Sequence, residues 1–314
     1  MKKTFLHTAL CLLTLSVSVS CSNDSEENNP FDKQIFGDFD AKSIEFKKSS
    51  DNVETIEKWS DIVYNSEKKI IGYTYTRKTT GYMTENETRK CKLDYFTRHD
   101  GNKTIRTRTD VKYDRMEAGI TFKYTENVQE DISMNSDGYI TTIETTSDRI
   151  EDGSETPAIT TSTRTFIYDG DFCTGSTYSE GKINITYKYL WEAYQLKKIT
   201  ILKENDKDNT TDHTTYKYTF DTSTLSKFAG NETLPYVQSG FPQIFASMGY
   251  FGKFTPYILT EETQSGNMNY GDGLGSRPKT EIKISYRYDN DNNQELRYTG
   301  ASRIYDTYSL TFSK

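Results

Sequence analysis

The stretch Ile183 to Ile201, I-N-I-T-Y-K-Y-L-W-E-A-Y-Q-L-K-K-I-T-I, decides the fold. Ile183, Ile185, Tyr187 and Tyr189 alternate with polar residues, a short break follows, and Leu196, Ile199 and Ile201 resume an extended pattern. Alternation with period two puts one set of side chains on one face of a half-buried strand, so the stretch reads as a β-hairpin. Its aromatic-x-aromatic core recurs at Tyr73/Tyr75, Phe122/Tyr124, Phe166/Tyr168, Tyr187/Tyr189, Tyr216/Tyr218 and Tyr286/Tyr288.

Working outward, the repeats share a form: a strand end, a turn rich in Asp, Asn, Gly or Lys, then a second extended run. Reversals are expected after Tyr64-Asn65, at His99-Asp100-Gly101-Asn102, after Tyr113-Asp114, at Asn135-Ser136-Asp137-Gly138, at Asp169-Gly170-Asp171, between Phe220-Asp221 and Leu225, and after Tyr288-Asp289. Asp, Asn and Gly tolerate the left-handed backbone angles of tight reversals. Thr, Tyr and Ile fill the intervals, and these types suit a pleated surface. The expected architecture is all-β: a large antiparallel meander from residue 41 to 314, one aromatic face and one Thr/Lys/Glu face, curled into a barrel-like sheet that protects its edges.

Residues 1–20 carry a basic start at Lys2 and Lys3 and an apolar run from Phe5 to Val19, the form of a secretory signal. That run is shorter than the about 20 residues a membrane span needs. Ser18-Val19-Ser20-Cys21 resembles a bacterial lipobox, with Ser18 in place of the usual leucine. The resemblance implies cleavage before Cys21 and a diacylglyceryl group on its sulfur. Residues 21–40 open with the polar, acidic run S-N-D-S-E-E-N-N-P, which reads as a solvated tether. Asp24, Glu26 and Glu27 also resemble the acidic export signal of surface lipoproteins of Bacteroidota. The expected address is the outer membrane, on the cell-surface or the periplasmic face.

Taking Lys2 and Lys3 from the 39 basic residues leaves 37 against 46 acids, a mature net charge of about −9. An acidic chain without a basic cluster is a poor partner for nucleic acid. Cys11 leaves with the signal and Cys21 is committed to lipid, so Cys91 and Cys173 remain; one bridge is open to them, with two separate thiols the favoured state.

Catalytic signatures are sparse. The mature chain holds His99 and His213, both in polar surroundings, and no nucleophile elbow, phosphate loop, zinc helix or dinucleotide fingerprint. Asp289-x-Asp291-x-Asn293 matches the start of a calcium loop, but Gln294 stands where glycine is needed and Gly300 where a bidentate glutamate is needed; Asp206-x-Asp208 is poorer. No metal or cofactor is therefore expected. Trp59 and Trp191 lie in strand-like runs where burial explains them. A membrane-spanning barrel is disfavoured, because tyrosine runs along the whole better face instead of at two interfaces.

One segment breaks the rhythm. Between Ser226 and Tyr257 three prolines, Pro235, Pro242 and Pro256, sit among eight aromatic residues, and Pro242 is placed to start a helical turn that Gly249 closes. A loop this apolar is either buried as a plug over one end of the sheet, the favoured reading, or exposed as a binding patch of Tyr250, Phe251, Phe254 and Tyr257.

On its aromatic-turn repeats and the segment Gly249-Tyr250-Phe251-Gly252-Lys253, the chain resembles an uncharacterised family of Bacteroidota lipoproteins whose hairpins are similar to tyrosine-aspartate repeats. The resemblance spans Ile44 to Phe312, is strongest from Phe220 to Tyr288, and implies a porin-like antiparallel β fold. Asp289 to Asn293 depart from it in lacking the turn glycine. It carries no catalytic residues. The expected role is a lipid-anchored binding or structural module with a glycan or an envelope protein as partner. Alternatives are a carboxylate-dependent polysaccharide hydrolase and an accessory component of an outer-membrane uptake complex.

Overall fold

A computed structural model describes residues 43–50, 53–99, 101–205, 210–225, 245, 249–269, 274–288, 294–300 and 303–313. Sixteen strands follow one another: β1 (Ser43–Ser50), β2 (Val53–Tyr64), β3 (Ile70–Thr80), β4 (Met83–Thr97), β5 (Lys103–Glu117), β6 (Ile120–Met134), β7 (Ile140–Glu151) and β8 (Ala158–Asp169) form the first half. The second half is β9 (Phe172–Glu180), β10 (Ile183–Glu192), β11 (Gln195–Asn205), β12 (Thr210–Leu225), β13 (Tyr257–Asn269), β14 (Leu274–Tyr288), β15 (Gln294–Gly300) and β16 (Arg303–Ser313). Each strand pairs antiparallel with its sequence neighbours, and β1 pairs with β16, Ser43 opposite Ser313, so the meander closes into a barrel. Closure leaves no strand edge unpaired.

The hairpin from Ile183 to Ile201 is β10 and β11, joined through Ala193 and Tyr194, both at positive φ (47° and 62°). Two consecutive left-handed residues make the turn whose twist matches a hairpin. A register shift at Leu190 and Trp191 sets Trp191 opposite Leu196 and Tyr189 opposite Ile199. This bulge explains the odd spacing of Leu196 and Ile199, which are both buried although three residues apart.

Three turns at one end share a single design. Asn65, Arg98 and Asn135 each donate their backbone N–H to the carbonyl four residues on and accept at their own carbonyl from the N–H three residues on. Asn65 and Asn135 add their side-chain Oδ1, which accepts from Glu67 and Lys69 and from Asp137 and Tyr139.

Two expected reversals are placed differently. The strand ending at Asp114 in the sequence reading runs on to Glu117, and the chain turns at Ala118-Gly119, whose positive φ angles supply the turn that Asp114 does not. Phe220-Asp221 is no reversal: β12 continues to Leu225 through a register shift, with Asp221 Oδ1 accepting from the Ser223 N–H. The local Asp-centred hydrogen bonds are those of a turn, but the ladder to β13 continues past them.

Connections alternate between the two ends of an up-and-down barrel. The β2–β3, β4–β5, β6–β7, β8–β9 and β10–β11 turns therefore share one end with the long β12–β13 connection, and β1 starts from that end. At the far rim lie the turns at 81–82, 118–119, 152–157 and 181–182. Inside the barrel at the first end, Leu93, Ile105, Ile132, Ile140, Phe166 and Ile199 form an apolar layer. Cys91 and Cys173 are buried and unbridged. The expected aromatic face is here too: Tyr73 and Tyr75, Phe166 and Tyr168, Tyr187 and Tyr189, and Tyr216 and Tyr218 are buried or packed against the core. Phe122 departs from it, 53 % exposed near the far rim, where β6 outruns its pairing with β7.

The alternate residues face outward and are largely charged or hydroxylic, with exposed apolar side chains among them at Phe96, Ile150, Ile159, Ile167 and Leu190. On β4 they include Lys90, Lys92 and Asp94, and on β5 Arg108, Asp110 and Lys112, all exposed. Arg106 on β5 pairs with Asp131 on β6 across this face at 2.6 Å.

Candidate binding chamber

The described part of the β12–β13 connection, Phe245 and residues 249–256, packs into the end from which β1 starts. Phe245, Phe251 and Phe254 are buried, with the Phe251 ring 4.8 Å from that of Phe166 and tilted to it. Burying a phenyl side chain contributes about 1.5–3 kcal/mol. Polar bonds then fix the segment to β4, β7, β11 and the turn between β8 and β9. The Tyr250 carbonyl accepts from the Ile140 N–H at 2.8 Å, Thr255 Oγ1 accepts from the Leu196 N–H at 2.8 Å, and Lys253 N–H donates to the Asp171 carbonyl at 2.8 Å. Lys253 Nζ reaches Asp171 Oδ2 at 2.8 Å, and Tyr250 donates its hydroxyl to that of Tyr95 at 3.4 Å. This lysine and the Tyr139 hydroxyl hold the Asp171 carboxyl below its usual range. Gly252 sits at φ 81°, and a Cβ there would stand 2.2 Å from the Asp171 carbonyl oxygen. Only glycine fits that approach.

Of the four residues offered as a binding patch, Phe251 and Phe254 are core side chains with no face for a ligand, and Tyr250 and Tyr257 are half-buried against the same core. These four residues pack against the core and do not form an exposed patch. Trp59 is buried with its ring 5.1 Å from Tyr75, and half-buried Trp191 donates Nε1–H to the Cys173 carbonyl at 2.8 Å. His99 and His213 are exposed, His213 on the outward face of β12. Cys21, Pro242 and both calcium-like runs lie outside the described residues.

Above the apolar layer the barrel wall turns polar and lines a partly open cavity of about 310 Å³. Its lining comes from the inward faces of β4, β6, β7, β8 and β9. Across the register, Arg89, Val111, Glu126 and Arg149 form one row of neighbours, and Glu130, Thr145, Ser162 and Glu180 another. Arg164 stands opposite Ile143 on one side and Tyr178 on the other.

Most charges in the chamber are already answered. Arg89 holds Glu87 at 2.5 Å, and Arg149 reaches Glu126 at 3.5 Å while lying 4.2 Å over the Tyr124 ring. Glu126 also accepts from the Ser147 hydroxyl at 2.7 Å, and Ser147 meets the Thr160 hydroxyl at 2.9 Å. Glu180 accepts the Tyr178 hydroxyl. Glu130 accepts from the Thr107 hydroxyl at 2.8 Å, yet burial pushes its carboxyl above the usual range, against the opposing bond from Thr107 and the fields of Arg89 and Arg164. Arg164 stacks its guanidinium 5.0 Å over the Tyr178 ring and has no carboxylate within ion-pair distance among the described residues.

No family model matches the chain. No curated protein matches it either. Among solved structures it is similar to a porin-like protein from Bacteroides uniformis, with a TM-score of 0.45 and 15% identity, covering 87% of this chain and 96% of that one.

The sequence reading did not single out the chamber residues, although a trace of them is there. On β8, Ser162 and Arg164 share the alternation that leads to Phe166 and Tyr168, so a charge interrupts an otherwise aromatic face. On β6, Glu126 and Glu130 do the same ahead of Ile132 and Met134. An isolated charge in an alternating strand reads as a solvated residue until closure shows it facing a lumen.

Proposed function

We propose that this chain is a lipid-anchored cell-envelope binding module that takes a small polar ligand into the chamber between Arg164 and Glu130. The carrying observation is the partly open, hydroxyl-lined cavity with one guanidinium that no described carboxylate engages. Its volume falls at the small end of the usual range for ligand sites, roughly 300–1,000 Å³. Thr160 is exposed whereas its cross-strand neighbour Ser147 is buried, so the chamber's hydroxyl lining continues out to solvent on the side of the far rim.

The charged outward face supports an anchor over a membrane-spanning wall. Placing one Arg or Lys of a barrel at the bilayer midplane costs about 2–4 kcal/mol, and Lys90, Lys92, Arg106, Arg108 and Lys112 lie on two adjacent strands. Membrane attachment then falls to the acyl group on Cys21. A hydrolase is less well supported: Glu126 and Glu130 stand four residues apart on one strand, about 13 Å at roughly 3.3 Å per residue, and Glu126 is held by Arg149. Acid pairs in retaining and inverting glycosidases lie closer, about 5–9.5 Å apart.

Two measurements test the proposal. Full-length chain, purified in detergent and screened against small polar ligands by thermal shift, should gain stability with at least one, and Thr160→Trp at the mouth should abolish the gain. Labelling with an acyl reporter in a bacterial host should mark the chain, and Cys21→Ser should remove both the label and the membrane fraction. A ligand response that survives Thr160→Trp places binding elsewhere and defeats the chamber; an unlabelled chain defeats the anchor.

A further inference from the structure

We infer that the chamber selects a single sugar-sized ligand bearing a carboxylate, with Arg164 as the residue that reads the acid; this rests on the binding-module reading above. Three observations converge on it.

The first is which cation is left over. Arg89 and Arg149 already face Glu87 and Glu126, so their charges are spent inside the wall. Arg164 has an aromatic ring against one face of its guanidinium and no acid against its edges among the described residues. A guanidinium stacked in this way keeps its in-plane N–H groups free, and two of them match the two oxygens of a carboxylate.

The second is the state of a carboxyl that shares the cavity. Glu130 belongs to the same cavity and feels the Arg164 field, yet the net direction of its shift is upward, toward the neutral acid. A carboxyl displaced in that direction repels an incoming anion less than a full carboxylate would, and in its protonated form it can donate a hydrogen bond. Glu126 is neutralised by Arg149, and Glu180 is engaged by the Tyr178 hydroxyl. Arg164 is therefore the cation of the lining without an ion-pair partner among the described residues.

The third is the remaining lining. Thr145, Ser147, Thr160 and Ser162 bring four hydroxyls to the β7 and β8 walls, and Glu180 keeps further acceptor capacity near the mouth. Groups that both donate and accept, set around one cation, suit a ligand whose hydroxyls do the same and whose single charge is negative. A neutral sugar would fill the hydroxyl wall but leave Arg164 unanswered, and an amino sugar would bring a second cation against it.

The test uses full-length chain in detergent and isothermal titration with glucuronate, glucose and glucosamine. Glucuronate should bind at least tenfold more tightly than glucose, with glucosamine weakest. Arg164→Gln should bring glucuronate to the level of glucose while leaving the circular dichroism spectrum unchanged. Arg164→Lys, which keeps the charge but not the fork, should retain part of the preference and guards against a folding failure in the glutamine variant. Equal affinity for glucuronate and glucose in the parent overturns the inference, as does a preference that survives Arg164→Gln. If glucose binds and Thr160→Trp blocks it, the module reading stands while the acid selectivity falls. If none of the three sugars binds, the inference is lost, and the broader ligand screen then decides the module on its own.

Discussion

Glu262 ties the barrel's stability to pH. It lies on β13 directly opposite Tyr218 on β12, and the two side chains are 7 % and 4 % exposed. Neither Glu262 Oε2 nor the Tyr218 hydroxyl has a hydrogen-bond partner among the described residues. Burial alone lifts the Glu262 carboxyl from 4.5 to about 8. The folded chain therefore keeps this proton over a range in which the unfolded chain has released it. Stability contributed by the neutral acid is complete below about pH 4.5, declines as the pH rises toward 8, and does not decline further above that. At about 1.4 kcal/mol per pH unit of displacement the full loss is roughly 4–5 kcal/mol. Glu262→Gln removes the titration and keeps the shape. The buried amide carries its own desolvation cost, but that cost is the same at every pH, so the slope is diagnostic and the absolute stability is not. In urea unfolding followed by tryptophan fluorescence at pH 5, 6.5, 8 and 9, the parent should lose stability relative to the glutamine variant across the first three values and then run parallel to it. In thermal melts the same difference is roughly 10 °C, at about 2–4 °C per kcal/mol for a domain near this size. Parallel curves from pH 5 to 8 would refute the reasoning, since they would mean the carboxyl reaches water or a partner when folded.

Two further outcomes follow from the plug. Gly252→Ala forces a Cβ into the Asp171 carbonyl at a positive φ, and should cost about 2 kcal/mol or more, read as a lowered melting midpoint with faster proteolysis between residues 226 and 256; an unchanged midpoint would show that the segment is not seated as described. Cys91 and Cys173 are 4 % and 1 % exposed and burial raises both thiols, Cys173 to about 12, so a thiol reagent at pH 8 should find neither in the native chain and both after denaturation; reaction in the native chain, or silence after unfolding, would contradict two buried free thiols.

The strands were legible because their chemistry is local. Tyr187 and Tyr189, or Tyr216 and Tyr218, declare a buried face by spacing alone, and Asn135 to Gly138 declares a turn through side-chain and left-handed backbone chemistry that needs no distant partner. Asp114 and Asp221 misled for the same reason: each carries turn chemistry, but the ladder around it continues, and cross-strand hydrogen bonding outweighs a local preference. Closure was not legible in any segment, since it depends on β1 meeting β16 more than 250 residues later in the chain. The chamber inherits that limit. Arg164 and Glu130 acquire meaning only once the face they share has become the inside of a barrel.

That same inside explains why the chain inverts the usual distribution of a membrane barrel. In lipid, the outward face must be apolar and a lumen can stay wet. Here Leu93, Ile105, Ile132 and Phe251 fill the lumen at the plugged end, while Lys90 and Lys92 alternate outward with buried Cys91 and Leu93 on β4. The strand pairing is that of a barrel in either case, because backbone hydrogen bonding is indifferent to which face meets water; side-chain transfer energies decide the solvent. On this wall the exposed apolar side chains, Phe96, Ile159, Ile167 and Leu190 among them, share the face with these charges.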